Sequence, residues 1–539
     1  MELTLRGIGD KAGWAAAGVR LPQYDVEAAA RRTRENPRWL HFGAGNLLRG
    51  YVAALQEELL NAGASDHGIV AVESFDVELI DAIYNAHDSL ILQALLGGGG
   101  VGGDDRYAVL GSVAGCLSAA SDWEELRRIF ASPALQMVSF TITEKGYATR
   151  DISGRLLPSL EADGERGPAS PKHTLAMIAS LLIARFEAGG APVALVSMDN
   201  CSANGDKLKA GVTQAAELWR SRGYVGEDFL RYLNDPARVS FPWTMIDKIT
   251  PSPAPDVYRR LTSLGIRGID PIQTARGTRI APYVNTETAQ YLVIEDAFPA
   301  GRPPLEQAGV YFANRDTVRS AERMKVSACL NPLHTALAVF GCLLGYGSIS
   351  QEMNDPELAA LVRRIGYAEG LPAAANPGII DPRAFLDEVI ERRLPNPAIP
   401  DTPQRIAADT SQKVAIRFGE TIRSYGADAA RKLIGIPLAL AGWLRYLLGV
   451  DDQLRAMTLS GDPMLHELRE RLSVIRIGTA DGARAALLPI LSNEALWGVD
   501  LQAVGLADVV LNLFERMIKG KDAVRETLRE ALRSAASKD

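Results

Sequence analysis

Between Glu322 and His334 the chain places a lysine, an asparagine and a histidine inside an otherwise apolar run, ERMKVSACLNPLH. A lysine drawn partly out of water loses some of its preference for the charged form, and so becomes a base near neutral pH. An asparagine amide can hold a developing alkoxide without taking a proton. A histidine can donate to, or accept from, a substrate hydroxyl. Lys325, Asn331 and His334 are therefore the parts needed to oxidise an alcohol without a metal. The plainer alternative is an ordinary helix with one exposed lysine.

Spacing sets a condition on that chemistry. Nine residues separate Lys325 from His334, and on a regular helix nine residues turn through about 900°, which puts the two on opposite faces. They can share a pocket only if the helix is interrupted between them. An irregular turn is therefore expected within 326–332, most simply a π-bulge that absorbs one residue. Pro332 supplies a second reason, because its ring crowds the carbonyl of Ala328 and removes one backbone hydrogen bond. A helix carrying His334 should follow. If the helix is unbroken, Lys145 and Lys248 are the alternative bases.

Upstream, short apolar runs alternate with helical patterns. WLHFGAG (39–45), GIVAVES (68–74), QMVSFTIT (136–143), PVALVSMDN (192–200) and QYLVIED (290–296) read as strands, with helical spacing over 46–62 and 172–188. Such alternation indicates βαβ units and a mostly parallel sheet. FPAGRPPLEQAG (298–309) has the composition of a linker. Beyond it nearly everything has helical spacing: 314–346, 356–366, 382–393, 404–424, 437–449, 463–473, 505–517 and 521–536. The expected architecture is an α/β Rossmann-type domain over 1–300 and a predominantly α-helical substrate-binding and catalytic domain over 301–539. GGGGVGG (97–103) reads as a surface loop tip rather than a phosphate site.

In HFGAGNLLRG, Gly43 and Gly45 follow a strand and open a helix, but Leu48 stands where the usual dinucleotide fingerprint has its third glycine. Gly43 permits the tight turn, and Gly45 lets backbone approach a pyrophosphate at the helix N-terminus. Glu73, at the end of the next strand, could bind an adenosine ribose, with Asp76 as the alternative. An acid there repels a 2′-phosphate, which favours NAD over NADP.

Composition narrows the class. The 539 residues are 47% hydrophobic and 23% charged, with a net charge of -7, as expected of a soluble, multi-domain globular protein that does not bind nucleic acid as its main partner. Cys116, Cys201, Cys329 and Cys342 have no metal-binding spacing, so a reduced cytoplasmic protein without structural disulfides or a metal site is expected. The N-terminus lacks a signal-peptide core, and no membrane-spanning run is expected. No coiled-coil array argues for an oligomer, and a monomer is the simpler expectation.

Six blocks occur in order: HFGAGNLLRG, TITEKGY (141–147), SMDNCSANG (197–205), FPWTMIDKITP (241–251), YLVIEDAFPAGRP (291–303) and the segment 322–334. Together they resemble the polyol-specific long-chain dehydrogenases, also called the mannitol dehydrogenase family, over roughly 39–435. The wording of TITEKGY and NPLHTALAVFGCLLGY is similar to members that act on sugar acids. The resemblance implies metal-independent hydride transfer between a nicotinamide and a secondary alcohol of a sugar acid or polyol. It places the catalytic lysine on Lys325, a carboxylate near the proton route on Glu322, the oxyanion asparagines on Asn200 and Asn331, and a substrate-contacting histidine on His334. Asp247, Arg405 and Lys413 match substrate-pocket positions. Gly43, Gly45, Asn46, Glu73, Asp76, Thr143 and Glu144 fall in the cofactor blocks. The family pattern spaces its lysine and asparagine by five residues, whereas Lys325 and Asn331 are six apart. A chain that binds a dinucleotide without turnover is the competing reading. From the residues alone, Asn200 could equally cap the next helix, and Arg405 with Lys413 could be a solvated face.

Overall fold

A computed structural model describes residues 1–97, 104–151 and 153–536; the 98–103 part of the expected loop tip lies outside them. The chain divides into two compact units. Met1–Gly97 with Asp104–Arg319 forms the first, and the chain from Ser320 forms the second.

The first unit is built on a six-stranded sheet: β1 Trp39–Phe42, β2 Ile69–Glu73, β3 Val113–Ser118, β4 Met137–Phe140, β5 Val193–Ser197 and β6 Val239–Ser240. Their order is β3-β2-β1-β4-β5-β6, and every pairing is parallel. This is the doubly wound order in which strand sequence reverses between β1 and β4, and ligands bind outside the carboxyl ends there. Every residue of β1, β2, β4 and β5 is buried. That burial on both faces explains their continuous apolar runs. Alternation sorts the side chains: Leu40, Phe42, Val70, Val72, Val138 and Phe140 enter one core, while Trp39, Ile69, Ala71, Met137, Ala194 and Val196 enter the other. His41 is buried between Ser139 Oγ at 2.6 Å and Thr141 Oγ1 at 2.8 Å, and burial pushes its ring down to about 3.

Three smaller sheets complete this unit. One pairs Val19–Arg20, Arg106–Leu110, Ile91–Leu96 and Tyr283–Glu287; a second pairs Thr244–Asp247, Tyr291–Glu295 and Tyr311–Ala313; the third is a hairpin of Ile272–Gln273 and Arg279–Ile280. The stretch 298–309 is not a free linker. Leu305 and Val310 are buried in a core of this unit, and Tyr311–Ala313 runs parallel to Tyr291–Glu295. These contacts carry the first unit to Arg319 rather than ending it at 300.

The second unit is helical. Its centre is Asn331–Leu344, an apolar helix with eleven buried residues, packed against Gly435–Tyr446, which is buried along its whole length. A helix apolar all round belongs inside a core. The continuous stretch Arg315–Leu344 is long and apolar enough to cross a membrane, yet most of it is buried inside the protein. The expected helix over 404–424 is broken. Pro403–Ile406 and Thr410–Gln412 are separate short helical turns, Asp409 at φ 54° interrupts the path between them, and the π-turn Ala415–Gly419 leads directly into the helix Glu420–Ala430.

Candidate functional site

In the first unit the β1 turn is built to meet a ligand. Gly43 has φ 102°, and a Cβ there would lie 2.1 Å from the Thr141 carbonyl oxygen, so only glycine fits. A Cβ on Gly45 would meet open space, which leaves room for a dinucleotide's phosphates to approach the backbone. Leu48, at the missing third-glycine position, begins a π-turn, Leu48–Val52, and Gly50 within it allows close approach to Thr250 and Val284. Asn46 Nδ2 donates to the Pro251 carbonyl at 3.2 Å. The residues present therefore fit NAD.

Glu73 is buried at the end of β2. Its Oε2 accepts from the Ala44 amide at 3.0 Å, and Oε1 accepts from the amides of Phe75 at 2.7 Å and Asp76 at 3.0 Å. Tyr84 Oη donates to the Ala44 carbonyl at 2.8 Å, so the turn is held on both sides. Asp76 Oδ2 accepts from Thr274 Oγ1 at 2.6 Å. The hairpin tip that follows is laid on the same loop: the Ala275 amide donates to Glu78 at 2.9 Å, and the Arg276 guanidinium sits 4.6 Å from the Phe75 ring centre.

At the end of β5, Asp199 accepts from the amides of Ile142 at 2.8 Å and Thr143 at 3.0 Å, and from Tyr147 Oη at 2.6 Å. This carboxylate holds Thr143 in the left-handed region at φ 63°. Burial raises Asp199 above the usual carboxylate range, against the pull of those donors. Glu144 is exposed and pairs with Lys207 at 2.7 Å. Asn200 is exposed in the bend after Asp199; the helix Asn204–Ser221 starts from Ala203, without a side-chain cap. Asp247 is buried at the end of its strand, opposite Tyr291. Lys145 is exposed, and Lys248 Nζ donates to the Glu287 carbonyl at 2.6 Å.

In the second unit the helix breaks where the spacing requires. Met324–Cys329 is a π-turn, and the Leu330 amide donates to the Lys325 carbonyl at 3.1 Å. Leu330 leaves helical geometry at φ -129°, and Asn331–Leu344 restarts with Pro332 in its first turn, where its missing N–H is harmless. Absorbing one residue reduces the offset between Lys325 and His334 from about 180° to about 80°. Lys325 is only 1% exposed. Thr421 Oγ1 donates to the Ser327 carbonyl at 2.7 Å, and Gly370 leaves space beside the Ala328 carbonyl, where a Cβ would lie at 2.8 Å. Glu322 is half-buried on the helix that leads into the turn.

His334 Nε2 lies 3.3 Å from Asp401 Oδ2. Arg405 Nε donates to Asp401 Oδ1 at 2.7 Å, and Arg405 Nη2 reaches the same oxygen. Lys413 Nζ donates to the Ala408 carbonyl. Arg417 Nη1 donates to Thr335 Oγ1 at 2.5 Å. Burial lowers the His334 ring below its usual range, helped by Arg417 and Arg405 and opposed by Asp401. Burial also lowers Lys413 and pushes Arg417 down to about 10. Among the described residues no three His, Cys, Asp or Glu side chains gather as a metal cluster.

The sequence reading did not single out Asp199, Tyr147, Asp401 or Arg417. Asp401 and Arg405 stand at i and i+4, a spacing that signals an ion pair when it falls on a helix. Tyr147 closes the block TITEKGY. The His334–Asp401 contact has no local signal, because 67 residues separate the two.

Comparison with known proteins shows the family. The family model described as the mannitol dehydrogenase Rossmann domain matches residues 37–307, and the mannitol dehydrogenase C-terminal domain matches 317–517. A protein of Thermotoga maritima named D-mannonate oxidoreductase is 48% identical over 540 residues, covering 99% of each chain. The structure of Pseudomonas fluorescens mannitol 2-dehydrogenase in ternary complex with NAD and D-mannitol superposes with TM-score 0.74 at 27% identity, covering 100% of both chains. A substrate-free D-sorbitol dehydrogenase shares the fold, with TM-score 0.79 at 24% identity over 96% of this chain and 98% of that one. The chain belongs to the mannitol dehydrogenase family of NAD-dependent secondary-alcohol dehydrogenases.

Proposed function

We propose that this enzyme interconverts D-mannonate and D-fructuronate with NAD. The observation that carries the reading is the 48% identity, over 99% of both chains, to the relative named D-mannonate oxidoreductase. In this reading Lys325 is the general acid/base. In that role it accepts the substrate hydroxyl proton in oxidation and returns it in reduction, and its side chain, 1% exposed, is held out of bulk water. Bound NAD supplies the hydride acceptor.

The family pattern assigns oxyanion roles, holding the oxygen as its proton leaves, to Asn331 and to Asn200. The same pattern assigns substrate-hydroxyl contacts to His334 and to Asp247. Glu322 serves the proton route. Arg405 and Lys413 are the family's substrate cations. In this chain Arg405 is already bound by Asp401 and Lys413 by a backbone carbonyl, which limits what either offers a carboxylate directly.

The test is NADH oxidation with D-fructuronate, D-tagaturonate and D-fructose. D-fructuronate is expected to give the highest kcat/KM by about a hundredfold or more, the scale set when built polar contacts go unmatched. A preference for D-tagaturonate or D-fructose would reassign the substrate. Absence of turnover with all three would leave a dinucleotide-binding protein.

A further inference from the structure

We propose that Asp401 is a positioning residue that fixes the protonation pattern of His334, so that the ring accepts, rather than donates, a hydrogen bond at a substrate hydroxyl. The proposal rests on the dehydrogenase reading above, though not on which ketose is the substrate.

The geometry is a chain of three side chains. Arg405 grips Asp401 Oδ1 with two nitrogens, and Asp401 turns Oδ2 toward His334 Nε2 at 3.3 Å. The backbone of Asp401 is held too: its amide donates to Ile399 at 2.8 Å, and its carbonyl accepts from Ile349 at 3.0 Å. An ionised carboxylate only accepts, so the nitrogen facing it must carry the proton. In a neutral imidazole Nδ1 then keeps its lone pair. A carboxylate that orients an imidazole in this way selects its tautomer and its ring angle.

The surroundings keep the ring neutral. The cations around His334 are Arg405 and Arg417, with Lys413 beside them, and Lys325 is carried by the turn just before its helix. Asp401 is the carboxylate facing the ring. The neighbouring acid, Glu352, is buried against Gly341 and stays protonated, so it adds no negative charge.

One consequence separates this arrangement from direct recognition. Arg405 is 63% exposed and acts through Asp401, so its removal should affect charged and neutral ketoses alike.

The test reads pH profiles of kcat/KM in the ketose-reducing direction, with whichever ketose the wild-type protein reduces. There the alkaline limb belongs to Lys325, which must carry a proton, and the acid limb to His334, which must not. Asp401→Asn removes the charge that favours the imidazolium, so the acid limb should move down by about half a unit or more. Arg405→Gln removes a nearby cation, so the limb should move up. Both variants should melt within a few degrees of wild type, and Asp401→Glu should restore the limb in part. Opposite shifts support the proposal; limbs that stay fixed, or move together, overturn it. If Asp401→Asn does not fold, an unmoved or lowered limb in Arg405→Gln overturns it alone. The wild-type substrate panel reports separately on the function.

Discussion

The Leu330 amide donates to the Lys325 carbonyl across five residues at 3.1 Å, and the Leu330 carbonyl accepts from the His334 amide at 3.1 Å. Leu330 is thus the joint between the turn that carries Lys325 and the helix that carries His334. The extra residue between lysine and asparagine is absorbed in that joint.

Lys325→Ala should lower kcat by roughly two to four decades, the scale for losing a general acid/base, with NADH affinity nearly unchanged. Single-turnover kinetics and a fluorescence titration of NADH check both parts. Near-normal turnover would move the role to another residue.

Gly370→Ala tests whether the turn's shape matters to catalysis. The added Cβ would lie 2.8 Å from the Ala328 carbonyl oxygen and 3.0 Å from that of Ile365, so backbone must shift. We expect a stability loss of about 1–3 kcal/mol from overpacking. kcat should fall more than the affinity for NADH. A variant with wild-type kcat would show that the turn tolerates displacement.

Cofactor choice gives a third expectation. With the acids Glu73 and Asp76 behind the turn, NADH should exceed NADPH in kcat/KM by at least about tenfold, roughly 1.4 kcal/mol. Glu73→Ala leaves the amides of Ala44, Phe75 and Asp76 without their acceptor, so NADH affinity should drop along with selectivity. Retained affinity with lost selectivity would mean that Glu73 acts only by repelling a 2′-phosphate.

Glu352 makes a pH prediction. Burial first, then Asp355 and Asp401, pushes its carboxyl from 4.5 to about 10, and neither oxygen has a hydrogen-bond partner. The unfolded group ionises near the lower value while the folded one stays protonated, so stability is lost as pH rises between the two. Glu352→Gln should therefore raise stability by something on the order of 2 kcal/mol at pH 8, with little effect at pH 4. Thermal melts across this range decide it, and a pH-independent difference would count against it.

The parallel sheet was legible because β1, β2, β4 and β5 are short apolar runs bounded by turn residues. β3 escaped notice because Gly115 and two small neighbours dilute its pattern, and the strands Ile91–Leu96 and Tyr283–Glu287 find each other only across the fold. The break after Lys325 was legible once the family pattern put Lys325, Asn331 and His334 in one pocket and the count between lysine and asparagine came out one residue too long. What Glu73 binds was not, since its acceptor role depends on an amide from another loop. The same holds for Asp401: the sequence displays Arg405 as a free cation, and only the folded chain reveals the carboxylate that holds it.

The loop after β2 and the hairpin tip at 274–276 are fastened to each other although Asp76 and Thr274 are 198 positions apart in sequence. Cofactor preference is consequently not a property of one transplantable segment. Replacing 73–78 with the loop of an NADP-using relative would strip Thr274 and the Ala275 amide of their acceptors and the Arg276 guanidinium of its ring. An engineer, or a lineage drifting toward another nucleotide, has to exchange both stretches together, and natural variation at Asp76 and Thr274 should be correlated.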